Sequence, residues 1–282
     1  MNNFEKHLNT NKNLWNNKVS HHIESDFYKM DNFLAGNTSL NAIELDLLGN
    51  IEGKSVLHLQ CHFGQDSISL AKLGAKVTAI DFSEIAIEKA KEIATQTNTN
   101  VAFICCNIYD LPNLLDKKFD VVFTSYGTIC WLPDITKWAG IVSHFLKPNG
   151  QFVFAEFHPV IWMYDNDFKF IQYNYVLDEP IIELETGTSA DRNANITGES
   201  ITWNHSLSEV MNALIKNDLS ILKFNEFDYS PYNIFSNPIE FEKGKFRIEN
   251  YGNKIPIVYA ILAQKMKELT LNNLSRNNQL SL

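Results

Sequence analysis

In this chain of 282 residues, the loop Gln60-Cys61-His62-Phe63-Gly64, the carboxylate of Asp81 and the amide of Asn107 have the residue types and spacing to hold a nucleoside. A loop that follows an apolar run and opens a helix presents backbone N–H groups, and an acid about twenty residues farther on can accept hydrogen bonds from both ribose hydroxyls. Asn107 offers a donor and an acceptor to the edge of an adenine, and Ile108 beside it can pack on the base. Of the three glycines that a dinucleotide loop carries, only Gly64 is present. Gln60 and His62 fill the other two places, where side chains crowd a pyrophosphate. The ligand this pattern suits carries a nucleoside and no phosphate.

The elements that must position these residues form a βαβ unit. Ser55 to Gln60 is a short apolar run, Ser67 to Leu73 is amphipathic at helical spacing, Gly74 stops it, and Lys76 to Asp81 is a second apolar run. Ser83 is placed to cap a helix reaching about Gln96, with Ile85, Ala86, Ala90, Ile93 and Ala94 inward. Val101 to Cys106 and Phe119 to Tyr126 read as strands, the latter central if strand order reverses after the first strand. Asp134 then caps a helix with Ile135, Trp138, Ile141, Val142 and Phe145 on one face, and Gln151 to Phe157 is a fifth strand. Ahead of this unit, Asn11 to Leu34 forms one or two helices whose aromatics, Trp15 and Tyr28 among them, together with His22 either cover a ligand or pack on the sheet. Leu40 to Leu48 has a helical period that Gly49 ends.

Beyond Val160 the pattern changes. Phe168 to Val176, Pro180 to Glu185 and Glu199 to Trp203 alternate enough to be strands around a polar loop, Gly187 to Gly198. Ser206 starts a helix to about Asn217, Ile221 to Phe227 and Ile257 to Ala263 are the last two strands, and Tyr229 to Ile255 is an aromatic loop able to cover an acceptor. The segments expected are a helical cap (1–50), a ligand-binding core (51–159), an antiparallel substrate-cover insertion (160–205), the end of the core (206–266) and a loose tail (267–282).

A hydrophobic content of 45% is ample for a sizeable core, and a formal charge of -9 with a pI near 5.4 gives no electrostatic footprint for nucleic acid or an anionic membrane. The first seventeen residues are rich in Asn and Lys rather than apolar, and no run approaches the ~20 apolar residues of a membrane span. These features predict a cytoplasmic protein, monomer or homodimer, with a small-molecule substrate and neither nucleic acid nor membrane as partner. The four cysteines lack CxxC spacing, so reduced thiols and no metal are expected. Cys105 and Cys106, adjacent in a strand, point to opposite faces and read as small buried hydrophobes.

Val56-Leu57-His58-Leu59-Gln60-Cys61-His62-Phe63-Gly64, Ile80-Asp81-Phe82-Ser83, Asp110-Leu111-Pro112, Phe119-Asp120-Val121-Val122 and Leu146-Lys147-Pro148-Asn149-Gly150 occur in an order and spacing that resemble the class I S-adenosylmethionine-dependent methyltransferases. The match is closer to a bacterial branch whose first loop reads His-Leu-Gln-Cys-His-Phe-Gly-Gln-Asp, and it runs from about Leu14 to Pro159 and again from Trp203 to Asp218. The resemblance implies an α/β fold, a doubly wound and mostly parallel seven-stranded sheet with an antiparallel insertion after the fifth strand. It also implies S-adenosyl-L-methionine as cofactor and S-adenosyl-L-homocysteine as product. Gln60, Cys61 and Gly64 would lie under the methionine part, Asp81 on the ribose, Phe82 and Ile108 against the adenine and Asn107 at its amino group. Trp15, His58 and Tyr126 complete the expected cofactor set. The chain departs from the family with His58 in place of an acid, Gln60 and His62 in place of glycines, and Asn107 in place of the usual acid.

A sulfonium methyl is already electrophilic, so such an enzyme need own no catalytic residue. Where a base is required, His62, His158 and His205 are the candidates by type and placement. Two alternatives stay open: a module that binds the cofactor without catalysis, and an NAD-dependent oxidoreductase.

Overall fold

The computed structural model describes residues 3–176 and 179–267, so the tail expected at 267–282 lies, from residue 268 on, outside the described residues. Helices α1 (Asn3–Glu24), α2 (Met30–Leu34) and α3 (Ala42–Leu48) precede the core. The core opens with β1 (Ser55–His58), α4 (Gln65–Lys72), β2 (Lys76–Asp81), α5 (Glu84–Gln96) and β3 (Val101–Cys105). It continues with α6 (Leu111–Leu114), β4 (Phe119–Ser125), α7 (Ile135–Phe145) and β5 (Leu146–Phe157). A hairpin of β6 (Ile181–Thr186) and β7 (Thr197–Thr202) follows. The chain then returns through α8 (Leu207–Lys216), β8 (Leu219–Phe227), a second hairpin of β9 (Pro238–Glu242) and β10 (Lys245–Ile248), and β11 (Val258–Lys265).

Seven strands form one sheet in the order β3-β2-β1-β4-β5-β11-β8. The first five are parallel, with Val56 opposite Val77 on one side and Val121 on the other, and β11 runs antiparallel to both β5 and β8. The order reverses at β1, which is the crevice-forming switch point of a doubly wound sheet. Near-continuous apolar runs make the central strands because both faces are covered. In β4, Phe119 and Val122 pack with Trp138 and Phe145 of α7 on one face, while Val121 and Phe123 pack with Leu47 of α3 on the other.

Local chemistry fixes the helix starts. The hydroxyls of Ser83 and Ser206 and the carboxylate of Asp134 accept from backbone N–H groups in the first turns of α5, α8 and α7. Asn41 and Glu44 form a capping box on α3, and Gly49 ends it.

Four expectations change. Ile85 of α5 is exposed, and Ile87 takes the inward place. Residues 168–176 form no strand: the Asp165 carboxylate accepts from the N–H groups of Lys169 and Phe170, Phe168 takes φ 56°, and only an isolated bridge from Tyr164 to Ile171 remains. An aspartate that binds the backbone ahead of it turns the chain before a ladder can form. The loop after β8 contains the hairpin β9–β10. Cys105 is exposed rather than buried, because β3 is the edge of the sheet.

Candidate functional site

A cavity of about 950 Å³ opens at the carboxyl ends of β1, β2 and β4. Its floor is the loop 60–64 with Asp81, Phe82, Asn107, Ile108, Ser125 and Tyr126. Trp15 and Lys18 of α1, Trp162, the β6 acids Glu183 and Glu185, and Tyr232 and Phe235 from the loop after β8 close over it.

The β1 ladder continues into the loop, with Leu59 N–H donating to Phe123 O and Cys61 N–H to Ile80 O. From there three alternate residues are left-handed: Gln60 at φ 55°, His62 at 50° and Gly64 at 80°. The backbone keeps the shape of a glycine-rich loop although two positions carry side chains, a departure that costs about 1–2 kcal/mol at each. Gly64 has a second constraint. A Cβ there would lie 2.8 Å from the Phe103 ring and 3.0 Å from Ala90, so glycine lets α4 pack against β3 and α5.

Asp81 is 8% exposed and accepts from His62 N–H at 2.8 Å and Ser83 N–H at 2.9 Å. Burial pushes its pKa up to about 6 against the pull of these bonds. Two backbone bonds leave lone pairs on both oxygens for a further donor. His58 is also buried, with Nδ1 at 2.8 Å from Ser67 Oγ, and burial lowers its pKa to about 3. A neutral imidazole therefore stands at the end of β1. Gln60 donates from Nε2 to Thr128 O at 2.8 Å, while its Oε1 is buried without a partner. The Cys61 thiol is buried and its pKa raised, chiefly by desolvation, so it is no thiolate nucleophile.

His62 packs among Trp15, His22, Tyr28 and Phe63, and its Nε2 lies 3.0 Å from His22 Nδ1. Burial holds both imidazoles well below their usual pKa. Asn107 sits on the cavity wall, but its Oδ1 accepts from Tyr109 N–H at 3.0 Å and caps the turn that follows β3. Tyr126 lines the cavity with its hydroxyl on Glu44 at 2.9 Å.

The other two candidate bases lie off the cavity. His158 Nε2 bonds Glu226 and its Nδ1 accepts from Val160 N–H; His205 Nε2 bonds Leu132 O and its Nδ1 bonds Glu209. Both rings are structural ties. Among the described residues no group of three or more His, Cys, Asp or Glu could hold a metal ion.

Sequence reasoning passed over three groups. Glu156, 2% exposed, accepts from the N–H groups of Gly127, Thr128, Ile129 and Phe157 and from the Thr128 hydroxyl, so one carboxylate shapes the turn after β4. A lone acid in an otherwise apolar strand end is the signal for it. Lys18 is buried between the rings of Trp15 and Trp131 and pairs with Glu185 at 2.7 Å. Asp66 lines the cavity from the first turn of α4.

A family described as "Methyltransferase domain" matches residues 51–222, more than half of the chain. The chain belongs to that family. A ubiquinone biosynthesis O-methyltransferase of Coxiella burnetii is 31% identical over 134 residues, 48% of this chain and 53% of that protein. One from Alkalilimnicola ehrlichii is 28% identical over 120 residues, 41% of this chain and 48% of the relative. The match thus spans about half the length of these relatives. A crystal structure of an S-adenosylmethionine-dependent methyltransferase from Clostridium acetobutylicum superposes with a TM-score of 0.55 at 18% identity, covering 89% of this chain and 99% of that one. One from Mesorhizobium loti gives 0.51 at 18%, covering 82% and 100%. At such identities the likeness is one of fold, and the fold is the doubly wound methyltransferase sheet.

Proposed function

We propose that this protein is an S-adenosylmethionine-dependent methyltransferase with a small-molecule acceptor. The observation that carries the reading is the left-handed loop 60–64 under a cavity whose wall includes Asp81 and an unpartnered Gln60 Oε1. The residues present suit the cofactor: Asp81 has lone pairs for the ribose diol, Phe82 and Ile108 are apolar surfaces for the base, and Asn107 has its amide nitrogen for the adenine edge. The unmet acceptor on Gln60 calls for a donor from the amino-acid end. No such match exists for a pyrophosphate, which would meet the side chains of Gln60 and His62 and the carboxylate of Asp66.

When bound, the cofactor supplies an electrophilic methyl on a sulfonium. The chain's own part is to align an acceptor lone pair and exclude water, and such orientation is worth roughly 7–11 kcal/mol of a barrier. Glu156 fixes the turn 127–129, and that turn anchors Gln60 through Thr128 O. Tyr126, Trp162, Tyr232 and Phe235 give the acceptor side an aromatic lining that favours a flat or compact molecule. If the acceptor must lose a proton, His62 is the one of the three histidines placed to take it, being on the cavity wall and neutral near pH 7.

The test is titration calorimetry with S-adenosylhomocysteine, followed by an assay for its formation on a panel of phenols, amines and thiols. Micromolar binding and product on one acceptor class is the expected result. Binding with no product on any acceptor would reassign the protein as a cofactor-binding module, and no binding at all would remove the proposal.

A further inference from the structure

Two acceptor groups stand at the ends of the loop 60–64, the half-buried carboxylate of Asp66 without a cation and the buried Oε1 of Gln60 without a donor. Asp66, two residues past Gly64, accepts from the Ser125 hydroxyl at 3.1 Å and from the Ser39 hydroxyl. No lysine or arginine pairs with it among the described residues. Burial accordingly raises its pKa. A half-buried carboxylate with hydroxyl partners alone is short of positive charge. At the other end of the loop, Thr128 O takes the Gln60 Nε2 hydrogen, so the buried Oε1 is left to the cavity. A buried amide oxygen without a donor is left desolvated with nothing in return.

Sheet order says which part of a ligand these groups face. Asn107 and Asp81 follow β3 and β2 on one flank of β1, whereas Asp66 bonds Ser125 at the end of β4 on the other flank. With adenosine across the β3–β2 side, the amino-acid end falls on the β4 side.

We propose that Asp66 and Gln60 Oε1 together seat the α-ammonium of the cofactor's methionine portion; this rests on the cofactor reading above. An ammonium has three N–H donors and one charge, which satisfies both groups at once. The proposal accounts for two oddities of this chain. His58, at the end of β1, is neutral and brings no charge to the loop, and the acid beside the loop is Asp66, eight residues on in the first turn of α4. It also gives a reason for glutamine to occupy a left-handed position that glycine would fill without strain.

The test compares S-adenosylhomocysteine with 5′-methylthioadenosine, which keeps the nucleoside and thioether but has neither ammonium nor carboxylate. Calorimetric Kd values are measured for the unmodified protein, Asp66→Asn and Gln60→Gly, with circular dichroism melts alongside. Asp66→Asn should weaken S-adenosylhomocysteine at least tenfold and leave 5′-methylthioadenosine within twofold. Gln60→Gly should weaken only the former, by three- to tenfold. Equal loss of both ligands in a folded variant, or unchanged affinity for S-adenosylhomocysteine, overturns the proposal. Should Asp66→Asn fail to fold, Gln60→Gly decides by the same criterion. Failure of the unmodified protein to bind either ligand is a separate result, which overturns the cofactor reading and this proposal with it.

Discussion

Asp81 is held in a setting that works against its own charge. Moving its pKa from 3.8 to about 6 corresponds to roughly 3 kcal/mol against the ionised form in the folded protein, despite the N–H donors of His62 and Ser83. Because the folded protein binds this proton more tightly than the unfolded chain, the group's contribution to stability is fully present below about pH 4. It is lost as pH rises through about 6. A ribose diol that donates to the carboxylate has the opposite preference and selects the ionised form. Affinity for 5′-methylthioadenosine, a ligand that makes no demand on Asp66, should therefore fall about tenfold between pH 7.5 and pH 5. Calorimetry at the two pH values reads this directly, and Asp81→Ala should both flatten the profile and weaken binding at least tenfold at pH 7.5. A pH-independent Kd in the unmodified protein would take Asp81 off the sugar.

At the scale of elements, helix α1 and the hairpin β6–β7 act as one roof although more than 150 residues separate them. The fully buried Asn11 side chain donates to Ile201 O at 2.7 Å and accepts from Ile201 N–H at 2.9 Å, completing the hydrogen bonds of β7. Lys18 reaches Glu185 on β6, and Leu14 packs against Gly198, where a Cβ would lie 2.7 Å from its Cδ1. Asn11→Ala strands both backbone groups of Ile201, and unmet buried polar groups cost about 1–3 kcal/mol each. Urea unfolding should show a loss of about 2–4 kcal/mol, with faster amide exchange along α1; a change below 0.5 kcal/mol would mean that the roof is held some other way. This coupling was hidden in the sequence, since nothing local links Asn11 to Ile201. The same holds for His158 and His205, whose partners Glu226 and Leu132 lie 68 and 73 residues away. What could be read locally was the βαβ unit and the caps Ser83, Asp134 and Ser206, because their periodicity and spacing are contained in one stretch of chain. The segment 168–176 misled for the converse reason: its alternating aromatics suit a strand, but one aspartate at 165 turns the backbone first. Asp66 was legible only as an acid in a first helical turn, and its lack of a cation is a three-dimensional fact.

Over the whole molecule, sheet edge, helical cap and hairpin enclose this cavity together, so a ligand that fills it touches segments far apart in the chain. Binding at one hundred times Kd adds about 2.7 kcal/mol to stability, which for a protein of this length raises Tm by on the order of 5–10 °C. S-adenosylhomocysteine should give that rise, and amide exchange should slow together in α1, the loop 60–64 and β6–β7. The cavity also discriminates by charge. Six carboxylates line it, Asp66, Asp81, Asp165, Asp167, Glu183 and Glu185, against Lys18, already paired, Lys29 and Arg192, and a net charge of -9 surrounds the whole. A dinucleotide brings two more negative charges to a loop crowded by Gln60 and His62, whereas the cofactor brings a sulfonium and an ammonium against one carboxylate, a net positive charge. NAD at the same concentration should leave Tm unchanged. A rise with NAD, or protection confined to the loop while α1 exchanges as before, would show that the charge or the enclosure has been assigned to the wrong ligand.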